Sequence, residues 1–251
     1  MQSAHKELIQ HSLRENECTV VSLFVNKAQF NNEADYSNYP EQVEEDKLML
    51  EGLKCDVVFT PTDAVMYSNG RPLGFDFGSL EKVMEGKFRP GHFSGVGLIV
   101  SKLLNIVTPD CAYFGQKDIQ QCAVINKLVK DLNYPVDIRV VPTVRDKNGL
   151  ALSSRNLLLT DEERIIASDI HGSLKAAREM LLTQAGSVSE TKKMIAELFQ
   201  NDGPLNLEYF EIVSSETLLP VENIQTGEQV SLCMAAYLGE VRLIDNIYLF
   251  S

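Results

Sequence analysis

Two sequence patterns alternate over the first half of the chain. Short apolar segments rich in β-branched residues, as buried strands require, are separated by amphipathic segments of helical period. The strand patterns cover Cys18–Val25, Asp56–Phe59, Cys111–Phe114 and Val136–Val141, and the helical patterns cover His5–Asn16, Val43–Leu53, Phe93–Val107 and Ile119–Leu132. Strands that alternate with helices predict an α/β domain built on a parallel sheet with right-handed crossovers.

The second half has a different order. Two helical patterns, Asp161–Leu182 and Ser189–Gln200, precede three strand patterns at Leu207–Val213, Gln229–Tyr237 and Val241–Ile247. A tight turn at Gly239 and Glu240 separates the last two strands and predicts a hairpin. We therefore expect a large α/β domain over residues 1–143 and a smaller α+β domain over residues 144–251.

Composition narrows the classes of function. The chain has 251 residues and a net charge of −12, and an acidic surface repels the phosphate backbone of nucleic acids. No apolar run approaches the roughly 18 residues of a membrane helix, and the polar N-terminus has no signal-peptide pattern, so we expect a cytoplasmic protein without a membrane partner. The five scattered cysteines include no CxxC pair, and we expect most of them to be small buried apolar residues.

The segment after the strand Cys111–Phe114 carries residue types that bind phosphate. In open α/β sheets, ligands bind at the carboxyl ends of the strands. Gly115 permits close approach to the main chain, Lys117 can meet a phosphate group, and Asp118 and the two glutamines after Ile119 offer hydrogen bonds. A solvated loop with an aspartate helix cap is the plain alternative.

A second segment of this kind follows the strand Val136–Val141. Ser153, Ser154 and Arg155 predict a turn in which hydroxyls and main-chain N–H groups bind phosphate oxygens and the guanidinium neutralises charge. A serine-rich cap of the following helix is the alternative.

Three further signals are weaker. Asn26 and Gln29 follow the strand Cys18–Val25, although turns also favour asparagine. The acidic run Glu44–Asp46 offers the carboxylates that Mg²⁺ prefers, although such a run is more often a solvated helix face. His92 precedes a long helix, and a lone histidine is more often structural than catalytic.

Six longer motifs follow one another along the chain: FVNKAQF, YPEQVEED, EGKFRPGHFSGV, FGQKDIQQ, PTVRDKNGLALSSRN and the closing AAYLGEVRLIDNI. Taken in this order, they resemble the motifs of pantothenate synthetase, the pantoate–β-alanine ligase family with an HxGH ATP site. The family patterns FVNPTQF, EGxxRPGHFxGV and FGEKDxQQ correspond to the first, third and fourth of them. The resemblance extends from His5 to the C-terminus.

The resemblance implies a Rossmann-like ATP domain, a smaller C-terminal lid domain, dependence on Mg²⁺ and a homodimer. It also implies two chemical steps: pantoate and ATP form pantoyl adenylate and pyrophosphate, and β-alanine then displaces AMP. Such a reaction needs positioning and charge stabilisation rather than a covalent enzyme nucleophile.

Residue roles follow from the same resemblance. The catalytic residues would be His5, Lys117 and Arg155. Gln29 and Gln121 would bind pantoate, Asn26 would lie near pyrophosphate or β-alanine, and Asp46 with Glu45 would hold magnesium. The ATP site would comprise Gly115, Lys117, Asp118, Val144, Leu152, Ser153, Ser154 and Arg155.

The chain departs from the family pattern at its start. His5 aligns with the second histidine of HxGH, so Gln2 and Ala4 occupy the positions of the first histidine and the glycine, and the preceding strand and turn are absent from the sequence. An alanine at a glycine of close approach would push the phosphate away. We expect the chain as written to be essentially inactive and an N-terminally extended chain to be active; a truncated start and a degenerate paralogue both remain open. Gln116 also replaces a family glutamate.

Two other functions compete with the ligase. A related nucleotidyltransferase would act on another substrate, but the pair Gln120 and Gln121 suits a hydroxy acid better than a nucleotide. A non-catalytic dimeric protein that keeps the fold is the third interpretation, and pyrophosphate release with pantoate, ATP and Mg²⁺ would discriminate among the three.

Overall fold

The chain forms two compact units. The computed structural model describes residues 3–27, 43–70, 73–200, 203–225 and 227–250. The first unit comprises Met1–Gly115 and Gln120–Val141, and the second comprises Gln116–Ile119 and Pro142–Ser251. The short segment Gln116–Ile119 therefore belongs to the second unit, although its neighbours along the chain belong to the first.

The first unit alternates helices with parallel strands, so the predicted α/β class is confirmed. Strand β1 pairs with β2 from Val20↔Val57 to Ser22↔Phe59, and β3 pairs with β4 from Cys111↔Asp137 to Gly115↔Val141. The helices are α1 Ser3–Glu15, α2 Val43–Gly52, α3 Asp63–Met66, α4 Met84–Phe88, α5 His92–Val107 and α6 Ile119–Asp131, and the strands are β1 Val20–Ser22, β2 Val57–Phe59, β3 Cys111–Gly115 and β4 Asp137–Val141.

Most residues of helix α5 are buried, and a glycine makes its close packing possible. A Cβ atom at Gly97 would lie 2.7 Å from Cζ of Phe77, which is closer than carbon atoms approach. Only glycine lets the helix meet this ring. The helix ends where Thr108 takes a left-handed conformation with φ 47° immediately before Pro109, which cannot continue a helix.

Strand β1 is shorter than its apolar pattern predicts. The run Cys18–Val25 is mostly apolar, but only Val20–Ser22 forms a ladder, because the partner β2 has three residues. Ser22 and Cys18 are exposed, so the expectation that the whole run is buried is wrong. The short helices α3 and α4 have no apolar period long enough to be recognised in the sequence.

The second unit packs helices on an antiparallel sheet, as expected. Its helices are α7 Asp161–Ala167, α8 Asp169–Leu182 and α9 Val188–Gln200, and its strands are β5 Leu205–Ser214, β6 Val230–Leu238 and β7 Val241–Tyr248. The order of the sheet is β5-β6-β7. Leu238 pairs with Val241, and Gly239 has φ 55°, so the predicted hairpin turn is confirmed. The core includes Leu174, Ile195, Ile212, Leu232 and Met234.

The pattern Asp161–Leu182 forms two helices rather than one. Thr160 and Glu163 form a reciprocal capping box that starts α7, and the helix ends at Ser168, whose N–H is shared among the carbonyls of Arg164, Ile165 and Ile166. Apolar periodicity runs across this interruption, so the sequence pattern does not reveal it.

The cysteines differ from expectation. None of the five, all of which the structure describes, forms a disulfide bond; Cys122 and Cys233 are buried, Cys55 and Cys111 are partly buried, and Cys18 is exposed. Within the described part of the chain, no helix has both the length and the apolar character needed to cross a membrane.

Candidate active site

The first candidate segment forms a short turn between β3 and α6. Gln116–Asp118 is a 3₁₀ helix, and α6 begins at Ile119. A Cβ atom at Gly115 would meet nothing within 4 Å, so the space beside this residue is open. The side chain of Lys117 is 17% exposed, and its Nζ atom lies 4.0 Å from Oδ1 of Asp118, which is half exposed.

The side chain of Asn246 holds this turn within the second unit. Its Nδ2 group donates to the carbonyl oxygen of Gln116 at 3.0 Å and to that of Lys117 at 2.9 Å. Its Oδ1 atom accepts from Nε2 of Gln116 at 3.3 Å. We call this arrangement the Asn246 clamp.

The second candidate segment begins with a small hairpin. Arg145 and Ala151 form an isolated antiparallel bridge, and the N–H of Leu152 donates to the carbonyl of Val144 at 2.9 Å. In the loop between them, Oδ1 of Asp146 accepts from the N–H groups of Asn148 and Leu150. Val144 and Leu152 are therefore adjacent and partly buried, next to the predicted phosphate turn.

Gly149 fits this hairpin for two reasons. Its φ is +95°, a conformation that side chains disfavour, and a Cβ atom there would lie 2.9 Å from Cδ2 of His171. Any other residue would strain the main chain and press on the imidazole ring.

The hairpin leads into the serine and arginine residues. Ser154–Leu158 is a 3₁₀ helix, and Ser153 caps it, because its Oγ accepts from the N–H of Arg155 at 3.3 Å. Asn156 is buried and donates to the carbonyl of Ala151 at 3.0 Å. Ser153, Ser154 and Arg155 are partly buried and lie together on this turn. Their number and type suit the binding of an anionic group, although Ser153 also serves as the helix cap.

A buried ion pair supports the same region. Arg145 donates from Nη1 to Oδ2 of Asp245 at 2.6 Å and from Nη2 to Oδ1 at 2.9 Å, a bidentate geometry. Nη1 also donates to the carbonyl of Gly149 at 3.1 Å, so the arginine joins the hairpin to β7. Strand β7 contacts both 3₁₀ turns, Gln116–Asp118 and Ser154–Leu158.

His171 lies against this ion pair. Its Nδ1 atom is 3.7 Å from Oδ2 of Asp245 and makes no hydrogen bond within the described residues. Burial lowers the pKa of His171 below its ordinary value, and the charge of Arg145 lowers it further, while Asp245 acts in the opposite direction. The imidazole therefore resists protonation.

In the first unit, Asn26 is buried with its amide held at both ends. Its Nδ2 group donates to the carbonyl of Gly95 at 3.2 Å, and its Oδ1 atom accepts from the hydroxyl of Tyr67 at 2.6 Å. Gln29, which the resemblance assigns to pantoate, lies outside the described residues.

Gln120 and Gln121 have different surroundings despite their adjacency. Gln120 is 2% exposed; its Nε2 group donates to the carbonyls of Leu80 and Val83, and its Oε1 atom accepts from the N–H of Glu85. We call this arrangement the Gln120 clamp. Because the amide of Gln120 is occupied by main-chain groups, the two glutamines do not form a pair of substrate-binding side chains. Gln121 is partly buried and stays a candidate for pantoate.

The remaining predicted residues lie on two helices of the first unit. His5 is exposed in the first turn of α1, and Glu45 and Asp46 are in the first turn of α2. Glu44, their neighbour, pairs with Lys47 at 2.8 Å. Among the described residues, no group of three or more His, Cys, Asp or Glu side chains is arranged to hold a metal ion. His92 is buried at the start of α5, with its ring edge-on to Phe93.

Sequence reasoning missed the support residues of the second unit. Asp245, Asn246 and His171 received no role, although the first two lie in the quoted motif AAYLGEVRLIDNI. The sequence offered one signal: an acid and an amide stand side by side in an otherwise apolar strand. Buried polar side chains almost always have hydrogen-bond partners, so this pair indicated a buried polar contact.

Comparison with known proteins assigns the chain to a family. The pantoate-beta-alanine ligase family model matches residues 1–248. Pantothenate synthetase of Cytophaga hutchinsonii is 40% identical over 243 residues, which are 97% of this chain and 86% of that protein. Pantothenate synthetase of Bacteroides thetaiotaomicron is 43% identical over 247 residues, which are 98% of this chain and 87% of that protein.

Solved structures agree with these relatives. Pantothenate synthetase of Thermus thermophilus has a TM-score of 0.93 and 39% identity, with 100% of this chain and 90% of that chain covered. A pantoate-beta-alanine ligase of Francisella tularensis, solved with β,γ ATP and β-alanine, has a TM-score of 0.79 and 35% identity, with 100% and 87% covered. Both the sequence and the fold therefore place this chain in the pantoate-beta-alanine ligase family.

Proposed function

We propose that this protein is a pantothenate synthetase, which condenses pantoate with β-alanine at the expense of ATP. The observation that carries the proposal is the family match over residues 1–248. The complex of the Francisella relative with a form of ATP and β-alanine supports both substrates. The same match does not favour a nucleotidyltransferase that acts on another substrate.

The chemistry proceeds in two steps. A carboxylate oxygen of pantoate attacks the α-phosphorus of ATP, and the bond to the β-phosphate oxygen breaks, which gives pantoyl adenylate and pyrophosphate. The amine of β-alanine then attacks the acyl carbon, AMP leaves with the bridging oxygen, and the amine proton passes to solvent. The enzyme contributes positioning and charge stabilisation.

Most of the residues that we assign to ATP belong to the second unit, whereas Gly115 and His5 belong to the first. Lys117 and Arg155 bring positive charge to two turns, and the hydroxyls of Ser153 and Ser154 and the N–H groups beside them offer hydrogen bonds to phosphate oxygens. Val144 and Leu152, which are adjacent across the small hairpin, would contact the adenine or the pantoate. Asp118 and Gly115 would complete the contacts to the nucleotide, and His5 would donate to the phosphates.

The first unit supplies the groups for the acid and the amine. Gln121 and Gln29 would bind the hydroxyls and carboxylate of pantoate, because amides satisfy both without adding charge. Asn26 would lie near β-alanine or pyrophosphate, with its amide orientation fixed by Tyr67 and Gly95.

Mg²⁺ takes one or two protein carboxylates and completes its shell with water and phosphate oxygens. Asp46 or Glu45, in the first turn of α2, would supply one such carboxylate, because side chains of consecutive helical residues point in different directions and do not meet at one ion. When bound, the ion would neutralise charge on the triphosphate. By the same family resemblance, we propose a cytoplasmic homodimer, which size-exclusion chromatography with light scattering would test.

The test measures pyrophosphate release and pantothenate formation by the chain as written and by an N-terminally extended chain, and the variants are made in whichever of the two is active. We expect pyrophosphate release to require pantoate, ATP and Mg²⁺, and AMP release to require β-alanine as well. Arg155→Ala should slow adenylate formation on the order of a hundredfold, as the loss of a charge-stabilising donor does. Arg178→Ala is the matched control, because Arg178 is an arginine of the same unit that donates to the carbonyl of Leu249.

Two results would contradict the proposal. Pyrophosphate release that does not depend on pantoate would remove the substrate assignment. A normal rate in Arg155→Ala, or an equal loss in Arg178→Ala, would remove the assignment of the phosphate turn.

A further inference from the structure

The amide of Asn246 is buried and fully oriented. The residue is 2% exposed, and within the described residues its side chain hydrogen-bonds only to Gln116 and Lys117. Two main-chain carbonyls accept from its Nδ2 group, which directs its Oδ1 atom to the side-chain N–H of Gln116. The contacts therefore fix which end of the amide faces which partner.

The main chain of Asn246 is fixed as well. Its N–H donates to Oδ1 of Asp245 at 2.7 Å, and its carbonyl accepts from Nη2 of Arg145 at 3.3 Å. The residue also pairs with Cys233 in the antiparallel ladder of β6 and β7. The clamp is thus anchored in a sheet and an ion pair, and its side chain extends from a rigid support.

The segment that it holds has little support of its own. Gln116–Asp118 is a 3₁₀ helix of three residues, and such short helices have poor internal hydrogen-bond geometry. The carbonyl of Lys117 accepts from the clamp directly, so the clamp sets the position of the Lys117 main chain. The long lysine side chain starts from that position.

We infer that Asn246 is a positioning residue for Lys117 in adenylate formation, an inference that rests on the proposed function. Asn246 acts through the main chain of residues 116 and 117 and touches neither substrate. A displacement of about 1 Å in a group that meets the reacting phosphate costs roughly a hundredfold in rate, and the clamp prevents such a displacement.

The test uses two variants at position 246. Asn246→Ala removes both donors, and Asn246→Asp keeps the volume but places a carboxylate against two carbonyl oxygens. We expect kcat/KM for ATP in pantoate-dependent pyrophosphate release to fall about tenfold to a hundredfold in both. The affinity for pantoate, measured by calorimetry, should change less than twofold. Hydrogen–deuterium exchange should rise in peptides that contain residues 116–119.

The same changes in a chain that lacks the Lys117 side chain show whether Asn246 acts by positioning Lys117 or by stabilising the whole unit. In a Lys117→Ala background, the same changes at Asn246 should lower kcat/KM by less than about twofold, because residues that act through one another show strongly non-additive effects. Thr191→Val is the matched control: Thr191 is also fully buried in the second unit, and it donates to the carbonyl of Ser187. It should lower the melting temperature without a change in kcat/KM.

Each outcome decides the inference. Equal losses in the presence and absence of the Lys117 side chain, or a normal kcat/KM in both single variants, would overturn it. Failure of both Asn246 variants to fold would also overturn it, because Asn246 would then support the unit as a whole. If Lys117→Ala itself releases pyrophosphate normally, the role of Lys117 in the proposed function fails instead.

Discussion

Each unit contains a buried side-chain amide that donates to two main-chain carbonyls, and the two differ in what they hold. The Gln120 clamp holds residues 80–85, which join a 3₁₀ helix to α4 and include none of the predicted site residues. The Asn246 clamp holds residues 116 and 117, which include the predicted phosphate-binding lysine. The same chemistry therefore holds a connection between helices in one unit and a candidate site in the other.

The supports behind the two clamps also differ. Gln120 lies on α6, and its hydrogen bonds join neutral groups. Asn246 directly follows Asp245, which forms a bidentate ion pair with Arg145. We expect the Gln120 clamp to contribute to stability but not to catalysis. A buried charge that loses its partner costs more stability than a neutral group that loses a hydrogen bond, so the loss of one side chain should destabilise the second unit more than the first.

The largest expected effect is that of Asp245→Asn. The change keeps the shape but leaves the largely buried guanidinium of Arg145 without its carboxylate, which typically costs about 4 kcal/mol of stability, or a melting temperature lower by roughly 8–16 °C. Asp137→Asn is the control, because Asp137 forms an exposed ion pair with Arg139 in the first unit. Exposed pairs contribute little, so its melting temperature should hardly move. Equal shifts in the two variants would show that the charged support is not special.

Gln120→Ala should have the next largest effect. Two carbonyls and the N–H of Glu85 lose their buried partner, at a cost of about 2–3 kcal/mol, or roughly 5–10 °C in melting temperature. The kcat/KM for ATP in pyrophosphate release should stay within a factor of about two, unlike that of Asn246→Ala. A fall in kcat/KM for ATP of about tenfold or more would remove the distinction between the clamps.

Gln121→Ala should have a smaller effect, on binding rather than stability. Loss of one hydrogen bond to pantoate should weaken its binding about tenfold while ATP binding is retained. Isothermal titration of each ligand checks this, with Asn126→Ala as the control, because Asn126 lies on the same helix and donates to the carbonyl of Cys122. A weaker affinity for ATP instead would mean that the roles of the two units are assigned wrongly.

The smallest expected effect concerns pH and His171. Because its pKa in the folded protein is below the ordinary value of 6.5, the unfolded chain binds a proton at pH values where the folded chain does not. The free energy of unfolding should therefore fall as the pH drops below about 6.5. His171→Gln should reduce this slope, which urea unfolding at pH 7.5 and 5.5 would measure. An unchanged slope would show that the histidine titrates normally.

The sequence predicted elements well where the pattern is local. Helix α6 and strands β6 and β7 have bounds within a residue or two of those expected, because their apolar periods and turn residues are short-range signals. It predicted less well where a partner decides the outcome. Strand β1 is cut to three residues by the length of β2, and neither pattern indicates that these two strands pair with each other.

The candidate site shows the same limit. The residue types of Lys117, Ser153 and Arg155 pointed to phosphate, because charge and hydroxyl groups are properties of single residues. The clamps were not predictable in this way. Their acceptors are main-chain carbonyls, which every residue carries, and their donors lie far away along the chain.

That distance sets an order of events during synthesis. Gln120 follows its carbonyl partners by 40 and 37 residues, so all of its hydrogen-bond partners have been made by the time residue 120 leaves the ribosome. Asn246 follows Gln116 by 130 residues, which at typical speeds of translation is a delay on the order of ten seconds. During that interval the turn that carries Lys117 exists without its amide donor. Lys117 is therefore expected to reach its working position only after residue 246 has been made and the last strand has joined the sheet.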